Sequence, residues 1–258
     1  MKNKIQLVAG LGEIGKPLYN LLSKSGSVFG YDINPKLMKK KIDFKRTDVI
    51  VLHICIPFTS NFIADVHSLN KKFQPKLIVI HSTISPYTTK KLQKKINIPI
   101  IYSAIRGIHK RMLSDLKRYT KFFAIEKSTS NSKWAINIYT RLMQKCDVKT
   151  KKMTSPLTLE LAKIICDTSY YGWLINYAQL SNMIAIQHKV DYDEMWSFSD
   201  EIHKFLGNRP KMFPGFIGGR CIIPNLDLIS DKTLDLIKEI NLDYSKILSK
   251  RRKKGKKY

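Results

Sequence analysis

The chain has 258 residues, 43% of them hydrophobic, with 12 Tyr and 11 Phe; this supports one large or two modest cores and excludes wholesale disorder. Lys and Arg number 46 against 20 acidic residues, a formal charge of +26, which would draw polyanions, but the cations are mostly Lys spread along the chain and no nucleic-acid module is recognisable, so a generally basic surface is favoured over nucleic-acid binding. Cys55, Cys146, Cys166 and Cys221 form no CxxC pair and no zinc-spaced cluster with His, and no run approaches the ~20 apolar residues of a membrane span. The expectation is therefore a cytoplasmic protein with free thiols, no metal site and no membrane segment.

The opening MKNKIQLVAGLGEIG passes from a short apolar run straight into a Gly-rich turn, which reads as a strand and not as a signal peptide. Strand patterns cover Lys4–Ala9, Ser27–Tyr31, Val49–Ile56, Lys76–His81, Ile98–Ser103, Lys121–Ile125 and Asp147–Lys151. Helical patterns lie between them at Ile14–Ser23, Pro35–Lys40, Ser60–Lys72, Thr88–Lys95, Ile108–Tyr119 and Lys133–Lys145. Such alternation predicts βαβ units and a mostly parallel sheet; VIVLHICI and LIVI are apolar on both faces, as central parallel strands are.

A boundary follows near Met153. Thr154 or Ser155 can cap a helix with Pro156 at its first position. The pattern then runs without Pro to about His188, about 50 Å as helix. Much of it is apolar around its circumference and needs covering, so a homodimer through residues 156–188 is expected. A shorter helix, Tyr192–Leu206, ends at a break over Gly207–Pro210. The Gly/Pro-rich loop PGFIGGRCIIP spans Pro214–Pro224, further helix follows, and the chain closes on the solvated run KRRKKGKKY.

Gly10-Leu11-Gly12-Glu13-Ile14-Gly15 reads GxGxxG between a strand and a helix, the context that a dinucleotide pyrophosphate requires. Gly10 allows the tight turn, Gly12 the close approach of backbone to phosphate, and Gly15 the packing of helix on strand. The second strand ends in GYD, placing Asp32 where an acid reaches ribose hydroxyls and repels a 2′-phosphate, which favours NAD over NADP. The fold expected is a Rossmann-type doubly wound parallel α/β domain over residues 1–153. A mostly helical domain with a long central helix covers 154–249, and a basic tail 250–258.

GLGEIGKPL, HICIPFT, HSTISPYTTKKL, ELAKIICDT and GFIGGRCIIP occur in that order. The order resembles the UDP-glucose/GDP-mannose dehydrogenase family of nucleotide-sugar dehydrogenases over roughly residues 4–225. The resemblance implies that Cys221 attacks a substrate aldehyde after a first hydride transfer. It also implies that Lys163 stabilises the oxyanion, that Asp167 assists one turn later, and that Thr83 places a water or the nicotinamide. It makes the long helix the dimer interface, and with the glycine motif it gives a cofactor set of Gly10, Gly12, Glu13, Ile14, Gly15, Asp32 and Pro57.

The sequence also departs from that family. Asp167 stands where the family has Asn. Ile222-Ile223-Pro224-Asn225 replaces Pro-Lys-Asp after the cysteine, and Ser103-Ala104-Ile105 replaces Ser-Pro-Glu. The residues after Cys221 number 258 − 221 = 37, too few for the family's second nucleotide-binding domain.

A thiol at Cys221, beside Arg220 and with Lys163 brought near, would have a lowered pKa; the other three cysteines read as inert buried thiols. Lys163 and Asp167 are four apart and share a helix face, on a helix that reads as buried. Arg106 and His109 follow the fifth strand, where open α/β sheets bind ligands, and are candidates to hold an anionic substrate, His109 also to serve as acid or base. His53 and His81 read as core residues. Three readings remain: a nucleotide-sugar dehydrogenase-like enzyme on a sugar-like, phosphorylated or nucleotide-linked alcohol, a β-hydroxyacid or 6-phosphogluconate-type dehydrogenase, and a catalytically degenerate NAD-binding protein.

Overall fold

The computed structural model describes residues 3–38, 47–169, 178, 181–182, 184–205, 216–217 and 232–253. Seven strands form one sheet: β1 Asn3–Ala9, β2 Val28–Tyr31, β3 Thr47–Ile54, β4 Leu77–Ile80, β5 Ile100–Tyr102, β6 Lys121–Ile125 and β7 Thr150–Lys152. Their order is β2-β1-β3-β4-β5-β6-β7. β1 to β5 are parallel, β6 runs antiparallel to β5, and β7 is parallel to β6. The chain leaves β1 toward β2 and returns past β1 to β3. That reversal opens a crevice at the carboxyl ends of β1 and β3, where doubly wound sheets bind ligands.

Two apolar layers flank the sheet. On one face α1 (Gly15–Leu22), α4 (Met112–Arg118) and α5 (Ser132–Lys145) bury Leu18, Leu21, Met112, Leu116, Tyr139 and Met143 against Val8, Val51, Val79 and Ile101. On the other, α2 (Phe62–Phe73), α3 (Thr88–Gln93) and α6 (Pro156–Leu161) bury Phe62, Val66, Leu92 and Leu159 against Leu7, Leu52, Ile78 and Ile80. Alternate strand residues serve opposite layers, as the two-residue period of a strand requires.

Several elements differ from expectation. The helix read over Pro35–Lys40 is a single 3-10 turn, Pro35–Leu37, started by the Asn34 side chain accepting from the Lys36 amide. The helix read over Ile108–Tyr119 begins as a 3-10 turn, His109–Arg111, before α4. Beyond Pro156 the chain is not one continuous α-helix: α6 gives way to a π-helix over Ala162–Ser169, and most of 170–183 lies outside the described residues. Ser155 caps α6, its hydroxyl accepting from the Thr158 amide, with Pro156 at the first position.

The chain forms two compact units, Met1–Leu180 and Ser181–Tyr258. The second contains the helices Tyr192–Phe205 and Lys232–Lys253, the latter continuing into the run read as a basic tail.

Candidate active site

The Gly10–Gly15 turn sits at the sheet's reversal. The Gly10 amide donates to Tyr31 O at 2.8 Å, and the Cys55 amide to Ala9 O at 2.8 Å, so β2 and β3 clamp the turn from both sides. Gly10 has φ +89°, and a Cβ there would lie 2.6 Å from Cys55 O. A Cβ on Gly15 would fall 1.7 Å from Gly10 O, which enforces the close helix–strand contact. Gly12 has open space on its Cβ side, as the residue facing a ligand must. Glu13 is exposed, and Ile14 is half-buried against the core beneath α1.

Asp32 is built into the same turn. Its Oδ2 accepts from the Leu11 amide at 2.7 Å and its Oδ1 from the Asn34 amide at 2.9 Å. The carboxylate is thus fixed beside the glycines at the end of β2. Pro57 is exposed past the end of β3, next to the half-exposed Phe58.

Thr83 is exposed after β4. Its loop is pinned to the β3 end by Ser82 Oγ donating to Ile56 O at 2.6 Å. Lys163 Nζ and Asp167 Oδ2 are 2.5 Å apart, their side chains 13% and 44% exposed. The π-helical backbone carries both, with Thr168 Oγ1 donating back to Lys163 O; such irregular turns recur at functional sites. In the single chain Leu161, Ile165 and Cys166 are exposed, on the stretch expected to be covered by a partner subunit.

Cys55 and Cys146 are buried as expected, whereas Cys166 is not. Burial pushes the Cys55 thiol up to about 12. Arg106 folds back onto the start of β6. Its Nη2 donates to Thr120 O at 2.7 Å, and its guanidinium lies 4.9 Å from the Phe122 ring centre. His109 belongs to the 3-10 turn that opens α4. That loop is tied down by Asp115, whose Oδ2 accepts from the Ile108 amide and Arg111 Nε; the Ile108 amide first, then Arg111, holds its carboxyl below the ordinary value. Cys221 and Arg220 lie outside the described residues.

Two groups were missed in the sequence. Lys121 is buried at the start of β6, its Nζ donating to Ser103 O at 2.8 Å and Ala104 O at 3.0 Å. Burial brings its pKa down to about 7; Cys55 opposes this, while the charges of Arg106 and Lys163 add to it. It is the outermost member of a polar string on one sheet face. Gln6 Nε2 donates to Ser25 Oγ, Gln6 Oε1 meets His53 Nε2 at 3.2 Å, His53 Nδ1 lies 3.0 Å from His81 Nε2, and His81 Nδ1 lies 3.1 Å from Ser103 O. The other missed group is Glu160, fully buried in α6. The available signals were a lone Lys opening the apolar run KFFAI and a lone acid within PLTLELA.

No protein-family model and no curated protein matches the chain. Solved structures do resemble it. UDP-D-ManNAc dehydrogenase from Pyrococcus horikoshii superposes with a TM-score of 0.63 at 18% identity, covering 95% of this chain and 70% of that one. UDP-N-acetyl-mannosamine dehydrogenase from Staphylococcus aureus gives 0.58 at 18%, covering 98% and 70%. Mycobacterium tuberculosis 3-hydroxyisobutyrate dehydrogenase gives 0.59 at 14%, covering 95% and 94%. These similarities show the fold, a Rossmann-type dehydrogenase fold with a helical C-terminal part.

Proposed function

We propose that the chain is an NAD-dependent oxidoreductase that oxidises an alcohol carbon of a sugar-like substrate carrying phosphate or a nucleotide. The observation that carries this reading is the crevice at β1 and β3. There Gly10 and Gly15 are sterically obligatory, Gly12 is open, and Asp32 is held by the Leu11 amide. These residues fit a dinucleotide, with the positive end of α1 toward its phosphates and Asp32 toward a ribose. When bound, NAD supplies the hydride acceptor.

The remaining roles belong to side chains of this chain. Lys163, or a water it holds, takes the hydroxyl proton and offsets negative charge at the reacting oxygen, with Asp167 at 2.5 Å fixing its position. Thr83 orients a water or the nicotinamide face. Arg106 and His109 bind the substrate's anionic part. Cys221, assisted by Arg220, is the nucleophile for a second oxidation. The enzyme is a cytoplasmic homodimer through residues 156–188.

The test is a thermal-shift screen of nucleotide sugars and sugar phosphates with NAD, followed by counting NADH per substrate consumed. Two per substrate, reduced to one or to released aldehyde by Cys221→Ser, supports the full reading. One per substrate, unchanged in Cys221→Ser, limits the chemistry to a single oxidation, which the loss of the acid after β5 favours. Tight NAD binding with no NADH from any such substrate replaces the reading with a catalytically degenerate binder. A β-hydroxyacid dehydrogenase is the second reading, on the fold shared with 3-hydroxyisobutyrate dehydrogenase. NADH from 3-hydroxy acids alone decides for it.

A further inference from the structure

Glu160 is a carboxylate with no exposed surface, three residues before Lys163 on the same run of helix. Its Oε2 accepts from the Tyr87 amide at 2.7 Å. Its Oε1 accepts from the Thr89 amide at 2.9 Å and from Thr89 Oγ1 at 2.6 Å. These donors open α3. That helix has no side-chain cap of its own: its N-cap residue is Tyr87, in the left-handed region at φ 69°. A helix start leaves amides unsatisfied, and a carboxylate is the group that best satisfies them. Here the cap comes from 71 to 73 residues further along the chain.

The loop that Glu160 holds is the one that carries Thr83. Its near end is pinned to the β3 terminus through Ser82 and Ile56, and Ser85 Oγ and Thr88 Oγ1 lie 3.0 Å apart within it. Its far end is held by Glu160. Thr83 therefore stands exposed between one pin on the crevice and another on the helix that bears Lys163 and Asp167. Buried hydrogen bonds to a charged acceptor are short and strong, and three of them tie the two segments together.

We propose that Glu160 is a positioning residue: a cap supplied from a distant part of the same chain that fixes the Thr83 loop and the Lys163–Asp167 helix in one geometry, so that the substrate-side groups are set relative to the cofactor crevice. The inference rests on the reading of Thr83, Lys163 and Asp167 as site residues. It assigns Glu160 no contact with substrate.

The test uses the full chain with Glu160→Gln and, as a milder change, Thr89→Val. Glu160→Gln puts an amide donor against backbone amides. Thr89→Val removes one hydrogen bond and keeps the volume. Both are expected to speed hydrogen exchange at the Tyr87 and Thr89 amides by about ten-fold or more, and to speed exchange across Ala162–Asp167 as well. The dissociation constant for NAD should move less than about two-fold, because the glycine turn is untouched. With a substrate in hand, kcat falls about ten-fold while KM for NAD holds, the split expected when a site is misaligned rather than emptied. If Thr89→Val opens the loop amides while Ala162–Asp167 keeps native protection, the coupling is wrong. Full kcat in a variant with an opened loop overturns it equally. If the native chain turns over no substrate, the functional reading fails on its own account, and the exchange pattern alone decides whether Glu160 couples the two segments. If Glu160→Gln does not fold, Thr89→Val carries the decision.

Discussion

The Asp32 carboxylate accepts from two backbone amides, Leu11 and Asn34, and each oxygen keeps a lone pair for a ribose hydroxyl. Because those amides pre-set its position, the native chain is expected to bind NAD more tightly than NADP. Asp32→Ala should weaken NAD by about ten- to a hundred-fold, the worth of a charged hydrogen bond, and narrow the preference. Calorimetry with both cofactors checks this, and equal affinities in the native chain remove Asp32 from its role. The buried imidazoles make a second residue-level prediction. His53 is lowered to about 3 by burial and then by Lys121, and His81 well below its ordinary 6.5 by the same causes. Both rings stay neutral in the folded chain while the unfolded chain takes up protons below 6.5. Stability is therefore complete above that pH and falls as pH drops toward 3, by about 1.4 kcal/mol per pH unit for each ring. Lys121 acts in the same direction at higher pH: with its folded value near 7 against 10.5, stability rises between those two values. Urea unfolding at a series of pH values measures both slopes, and a flat profile between pH 4 and 6 contradicts the histidine assignment.

At the scale of elements, the strands and the glycine turn were legible because two-residue alternation and GxGxxG are local signals. β1, β2, β4 and β6 lie within a residue or so of the positions read from sequence. The antiparallel β6 was not legible, since strand direction depends on where the chain re-enters the sheet. The π-helix was not legible either: its residues AKIICDTS keep an ordinary helical apolar spacing. Likewise Glu160 and Lys121 draw their meaning from partners far away in sequence. The exposed Leu161 and Ile165, at 43% and 56%, extend the apolar helix face on which the proposed dimer rests. Light scattering at micromolar concentration is expected to give a dimer, and Ile165→Glu to give a monomer. A native monomer sinks the proposal.

For the molecule as a whole, the charge of +26 is carried mainly by dispersed Lys, and among the described residues no helix is long and apolar enough to cross a membrane. The first compact unit contains a row of hydrogen-bonded polar groups deep in its sheet. Replacing that row with apolar residues, in the triple variant Gln6→Leu, His53→Leu and His81→Leu, is expected to change stability by only about 1–2 kcal/mol, because polar and apolar fillings of one site nearly balance. The same variant should give amide spectra with more than one set of sheet resonances, and a single set refutes this. The reason lies in the geometry of the row: Gln6 on β1, His53 on β3, His81 after β4 and Ser103 after β5 meet only when those four strands are in their native alignment. A slip of one residue sends a histidine to the opposite face and strands its neighbours without partners. A misaligned strand of this chain therefore leaves its own member of the row and that member's neighbours faulty at once, and the row functions as an error-detecting code for sheet assembly.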